Sequence, residues 1–123
     1  MTLIEAINRA DALFPNAYKQ SEKIYWLSTL DGIIKREIID TYEGFEGVDF
    51  NGYNENTPLH TQLLVPAPYD EVYIRYLEMQ INYTNGEFGR YNNSVEMYDE
   101  AYSAFKKYYG RTHVHRGKKF KFF

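Results

Sequence analysis

Val72-Tyr73-Ile74-Arg75-Tyr76-Leu77-Glu78-Met79-Gln80-Ile81-Asn82-Tyr83-Thr84-Asn85-Gly86-Glu87-Phe88-Gly89-Arg90-Tyr91 holds the break on which the fold turns. Val72, Tyr73, Tyr76, Leu77, Gln80, Ile81 and Tyr83 recur at helical spacing as far as Asn85-Gly86. A second stripe follows: Phe88, Tyr91, Val95, Tyr98, Tyr102, Phe105 and Tyr109, flanked by Met97, Ala101, Ala104 and Tyr108, with Gly110 expected to end it. Two long helices separated by so short a break either fold back antiparallel or run on as one kinked rod. The tight Asn-Gly favours folding back.

Upstream, Thr2 and Glu5 spell a capping box, and Leu3, Ile7, Ala10 and Phe14 give a short first helix stopped by Pro15. Ser21 reads as the next N-cap, with Glu22 in the first turn. Ile24, Leu27, Leu30 or Asp31, Ile34 and Ile38 form the second stripe, widened by Tyr25, Trp26 and Ile33. Gly32 in mid-helix marks an expected close approach of another helix, and Gly44 stands where a C-terminal glycine belongs.

Residues 44–68 lose the helical period and are punctuated by Gly44, Gly47, Gly52, Pro58, Pro66 and Pro68, with Asn51, Asn54 and Asn56 adding turn chemistry. Residues 48–53 and 61–65 are the candidate strands of a small hairpin; otherwise the insertion is irregular. So long a connection in a compact domain is usually functional or contact-forming. Pro68 and the acids Asp70 and Glu71 then open the third helix. The fold class expected is all-α: a four-helix domain over residues 1–110, an insertion at 44–68, and a basic arm at 111–123.

Charge is sorted along the chain. Residues 1–110 hold nine Lys/Arg against all seventeen acids, a net of −8, whereas residues 111–123 hold five cations and no acid, a net of +5. In that arm Arg111, Arg116, Lys118, Lys119 and Lys121 interleave with Phe120, Phe122 and Phe123, a composition suited to anchoring aromatics on an acidic partner. The thirteen tyrosines suit either the wet margin of the chain's own core or interfaces between subunits. Tyr73, Tyr76, Tyr91 and Tyr98 are the candidates for a subunit interface, and Phe50, Tyr53, Leu63 and Leu64 for partner contacts of the insertion.

The sequence offers no convergent set of catalytic or metal-binding residues. His113-Val114-His115 is too small and divergent a set for a metal, so no metal or cofactor is expected. Asp70-Glu71, Asp99-Glu100 and the acids Glu43, Glu46 and Asp49 are not convergent pairs, and Asn85-Gly86-Glu87-Phe88-Gly89 lacks the lysine of a phosphate loop. No nucleophile elbow occurs and there is no cysteine, so no catalytic residue is named and an enzyme is not expected. The absence of cysteine fits a reducing compartment. The N-terminus does not read as a signal peptide, and no apolar run is long enough to cross a membrane.

Several stretches resemble one family. Trp26-Leu27-Ser28-Thr29-Leu30-Asp31-Gly32-Ile33-Ile34 with Glu37-Ile38-Ile39 is similar to the second helix of the small head–tail connector proteins of tailed phages and prophages of Firmicutes. So are Leu63-Leu64-Val65-Pro66-Ala67-Pro68-Tyr69-Asp70, its continuation through Tyr73, Tyr76, Gln80 and Tyr83 to Glu87, and Arg90-Tyr91-Asn92-Asn93-Ser94 with Tyr98, Tyr102, Phe105 and Arg111-Thr112-His113. The resemblance spans most of residues 1–113 and includes no catalytic signature. It implies a virion structural protein at the head–tail junction, made in the host bacterial cytoplasm. Its expected partners are the portal protein, neighbouring copies in a twelve-subunit ring, and a tail or stopper protein. DNA would pass close by without specific contact. The competing expectation is a small helical nucleic-acid-binding regulator that uses the basic arm on phosphates and bases.

Overall fold

The computed structural model describes residues 1–42 and 49–113. Its four α-helices are α1 (Leu3–Leu13), α2 (Gln20–Glu37), α3 (Glu71–Thr84) and α4 (Phe88–Thr112), with a 3₁₀ turn at Ile39–Thr41 after α2. No strand occurs among the described residues. The all-α class therefore stands; of the candidate hairpin between 48–53 and 61–65, Val48 lies outside the described residues, no strand forms at 49–53 or 61–65, and the second segment pairs elsewhere. Gln62 makes an isolated antiparallel bridge to Thr2.

That pairing has a clear cause. A helix leaves its first four N–H groups without partners. In α1, Leu3 N–H donates to the Thr61 carbonyl and Ile4 N–H to the Leu59 carbonyl, both at 3.0 Å. Glu5 N–H donates to Thr2 Oγ1 at 3.2 Å, the Glu5 carboxylate accepts from Thr2 N–H at 2.8 Å, and Ala6 N–H donates to the Thr2 carbonyl at 3.0 Å. The insertion thus completes the cap that the capping box begins.

α3 is the central helix, in contact with α1, α2 and α4, and its pairing with α4 across Asn85-Gly86 is the most extensive in the molecule. Gly86 has φ +76°, the left-handed conformation such a reversal needs. The antiparallel fold-back is therefore observed. Because α3 is surrounded, it buries Val72, Tyr73, Ile74, Tyr76, Leu77, Met79, Ile81 and Asn82. Against it pack Leu3, Ala6, Ile7 and Ala10 of α1 and Ile24, Leu27, Leu30 and Ile34 of α2. Between α1 and α2, Lys23 of α2 is buried with its ammonium 2.7 Å from Asp11 of α1.

Helix boundaries differ from the expectation in three places. α2 starts one residue before Ser21, with Lys19 as N-cap and no side-chain cap; the Lys19 carbonyl accepts from Glu22 N–H. α2 ends at Glu37, well before Gly44, which lies outside the described residues. α4 runs through Gly110 to Thr112, carrying Arg111 into the helical body.

Gly32 and Gly110 both depart from the roles expected of them. A Cβ on Gly32 would meet only Phe50 Cε2 at 3.9 Å, so no helix crosses there. A Cβ on Gly110 would stand 3.1 Å from the Tyr42 hydroxyl, so this glycine, read as a stop, makes room for Tyr42 beside α4.

Candidate functional site

Among the described residues the most deeply buried charged side chain is Asp31, which lies on the apolar stripe of α2 with no exposure. Tyr73 O–H of α3 donates to its Oδ1 at 2.7 Å, Tyr53 O–H of the insertion to its Oδ2 at 2.5 Å, and Leu64 N–H to the same Oδ2 at 3.1 Å. The Tyr73 hydroxyl in turn accepts from Val65 N–H at 2.7 Å, and Ser28 Oγ, one turn before Asp31, accepts from Tyr53 N–H at 2.9 Å. One carboxylate thereby fastens both limbs of the insertion to α2 and α3.

Burial raises the Asp31 pKa above the usual carboxylate range, and the hydrogen bonds from Tyr53, Tyr73 and Leu64 oppose that rise. Burial, followed by the neighbouring Asp31, pushes the Tyr53 and Tyr73 hydroxyls far above their ordinary values, so both stay protonated donors. Both Asp31 oxygens are occupied by groups of the same chain. Its role is to hold the insertion in place.

Of the residues proposed for the insertion's partner contacts, Leu63 is buried, Leu64 is half-buried, and Phe50 packs edge-on against Tyr53 with ring centroids 4.9 Å apart. Tyr53 is half-buried on Asp31. Tyr73 has 0% exposure, which corrects its placement at a subunit interface: its ring is core and its hydroxyl belongs to the Asp31 node. Tyr76 is also buried, stacked at a tilt on Tyr98 at 5.3 Å. Tyr98 and Tyr91 are half-buried; Tyr91 packs on Tyr83 at 5.3 Å. This aromatic seam knits α3 to α4, and at its outer end Tyr83 is exposed.

Of the arm, Arg111 is exposed on the last turn of α4. Arg116, Lys118, Lys119, Phe120, Lys121, Phe122 and Phe123 lie outside the described residues, as do Glu43, Glu46, Val114 and His115. The helical body ends beside a groove of about 320 Å³ between Ile39, Leu64, Pro66, Phe105 and Tyr108. A larger open groove, about 530 Å³, runs along the outer face of α4 past Tyr69, Glu100, Ala104, Lys107 and Arg111. Among the described residues no cluster of three or more His, Cys, Asp or Glu is placed to hold a metal, and no helix is long and apolar enough to cross a membrane.

The Asp31 node was not anticipated. Its one local signal is a carboxylate at a core position of an apolar stripe, between Leu30 and Ile34. No family model, curated protein or solved structure matches the chain.

Proposed function

We propose that this chain is a head–tail connector of a tailed phage or prophage, with an all-α connector-like domain. It is a virion structural subunit that docks on the portal protein, meets copies of itself in a ring, and passes the DNA channel on to a tail or stopper protein. The observation that carries this reading is where the resembling stretches converge. Asp31 comes from the first of them, Leu64 and Val65 from the second, and Tyr73 from its continuation, and these four make one buried node. The likeness therefore falls on the residues that give the domain its shape.

Two further features favour the reading. The −8 charge of residues 1–110 suits a wall past which DNA slides, since like charge discourages adhesion. The +5 stretch at 111–123, with its phenylalanines, suits attachment to an acidic protein surface.

The test is to mix the purified protein with the portal protein of the same genome and image the mixture by negative stain. A ring of added density on one end of the portal is expected. Portal particles that remain bare at saturating protein would overturn the reading. The nucleic-acid alternative predicts instead a duplex affinity that falls steeply with salt and disappears when Lys118, Lys119 and Lys121 are neutralised. Fluorescence anisotropy with a labelled duplex separates the two, because a connector leaves the duplex unbound at physiological salt.

A further inference from the structure

α4 is the outer helix of the domain, and of its 25 residues only Ser94, Phe105 and Tyr109 are buried. Glu96, Glu100, Ser103, Ala104, Lys107 and Arg111 step by one, three or four residues along it, so they share a face, and all six are exposed. The groove of about 530 Å³ runs along that face. Asp99 also lines the groove, on its acidic side. On the face itself Glu96 and Glu100 lie toward the helix N-terminus and Lys107 and Arg111 toward the C-terminus. Among the described residues, none of these four charged side chains has an ion-pair partner in its own chain.

We propose that a second copy of this chain docks on this face, α4 against α4, antiparallel about a two-fold axis between Ser103 and Ala104. In an antiparallel pair, residues equally far from the axis on opposite sides face each other. Glu100 then faces the partner's Lys107, Glu96 faces the partner's Arg111, and the symmetry repeats both pairs. The small side chains of Ser103 and Ala104 lie at the axis, where the two backbones approach most closely. The overlap runs from Val95 to Thr112, roughly 27 Å at the α-helical rise.

The charges also select this register. Moving the axis by about one turn, onto Glu100 or onto Lys107, sets like charges against each other, and so does parallel packing. Complementarity of this kind fixes register and orientation. The contact uses one patch twice and closes on itself, whereas a ring joins two different patches. It is a property of the free protein and does not depend on the connector reading.

Sedimentation equilibrium tests it. The wild type should move reversibly between the 14.6 kDa chain mass and twice that value as concentration rises. Glu100→Lys and Lys107→Glu should each weaken the pair at least tenfold. An equimolar mixture of the two variants should recover wild-type affinity, because the reversed positions then meet across the axis and the native pair is kept. The double reversal in one chain should recover it too. Glu96→Lys and Arg111→Glu should behave in the same way as a second, independent pair. Far-UV circular dichroism matching the wild type confirms that each variant is folded, as expected for exposed positions. The proposal is overturned by a wild type that stays at single-chain mass, by a dimer indifferent to these reversals, by failed rescue in the mixture, or by assemblies larger than two chains.

Discussion

Asp31 shows how one side chain can set the position of a long loop. It receives three hydrogen bonds and faces no cation among the described residues, so its desolvation is offset by donors alone. Removing a donor should therefore be costly. Tyr53→Phe removes one hydrogen bond at a half-buried position, and a loss of about 1–2 kcal/mol in urea unfolding is expected. Tyr73→Phe should cost more, about 2–4 kcal/mol, because the same hydroxyl also satisfies the buried Val65 N–H. Equal effects from the two variants would contradict this ordering. The carboxyl also makes a pH prediction. Burial raises its folded pKa above the unfolded value of about 3.9, so the folded state holds the proton to higher pH. The stability this contributes is complete below the unfolded pKa and is lost as pH rises through the folded pKa. Tyr53 and Tyr73, its titratable neighbours, stay protonated throughout that window. Asp31→Asn, which cannot titrate, should therefore gain on the wild type as pH is raised from about 4 to 7. Unfolding curves across that range check this, and a difference that grows in the wild type's favour would refute it.

The helices differ in how openly their causes are written. α1 and the α3–α4 turn were legible because their determinants are local: Thr2 with Glu5 three residues on, and Asn85-Gly86 between two apolar stripes. The insertion was not legible, because its partners are remote. Tyr53, Leu64 and Tyr73 lie 22, 33 and 42 residues from Asp31, and the bridge that displaces the expected hairpin joins Gln62 to Thr2. A glycine's reason is equally remote, which is why Gly32 and Gly110 both depart from their expected roles. The glycines make a paired prediction. Gly52 has φ +87° and a Cβ there would stand 3.1 Å from Ser28 Oγ, the acceptor of the Tyr53 N–H. Gly52→Ala should destabilise by about 1–2 kcal/mol. Gly32→Ala places its Cβ 3.9 Å from Phe50 in mid-helix, an ordinary contact, and should instead stabilise by roughly 0.5–1 kcal/mol. Thermal melts of the two variants moving in opposite directions meet the expectation; a destabilised Gly32→Ala would mean that α2 is crowded at that point.

On the proposed connector reading, the separation of an acidic body from a basic aromatic terminus across the whole chain assigns different jobs to different residues in docking. Cations accelerate encounter through long-range attraction, which salt screens over a Debye length of about 8 Å at physiological ionic strength. Buried aromatics act after contact, by slowing escape. Since α4 ends at Thr112, removing residues 114–123 leaves all four helices intact in sequence, and the truncated chain should keep its helical circular dichroism while losing the portal. Neutralising Lys118, Lys119 and Lys121 to Gln should lower the association rate on immobilised portal at least severalfold and flatten its dependence on salt, with residence time nearly unchanged. Phe120→Ala with Phe122→Ala should do the converse, shortening residence about tenfold or more at an unaltered association rate. Surface plasmon resonance at two salt concentrations reads both rates. If the lysine variant changes only dissociation, the basic residues act as direct anchors. If the truncated chain binds as the wild type does, docking belongs to the helical body, and the terminus has no part in it.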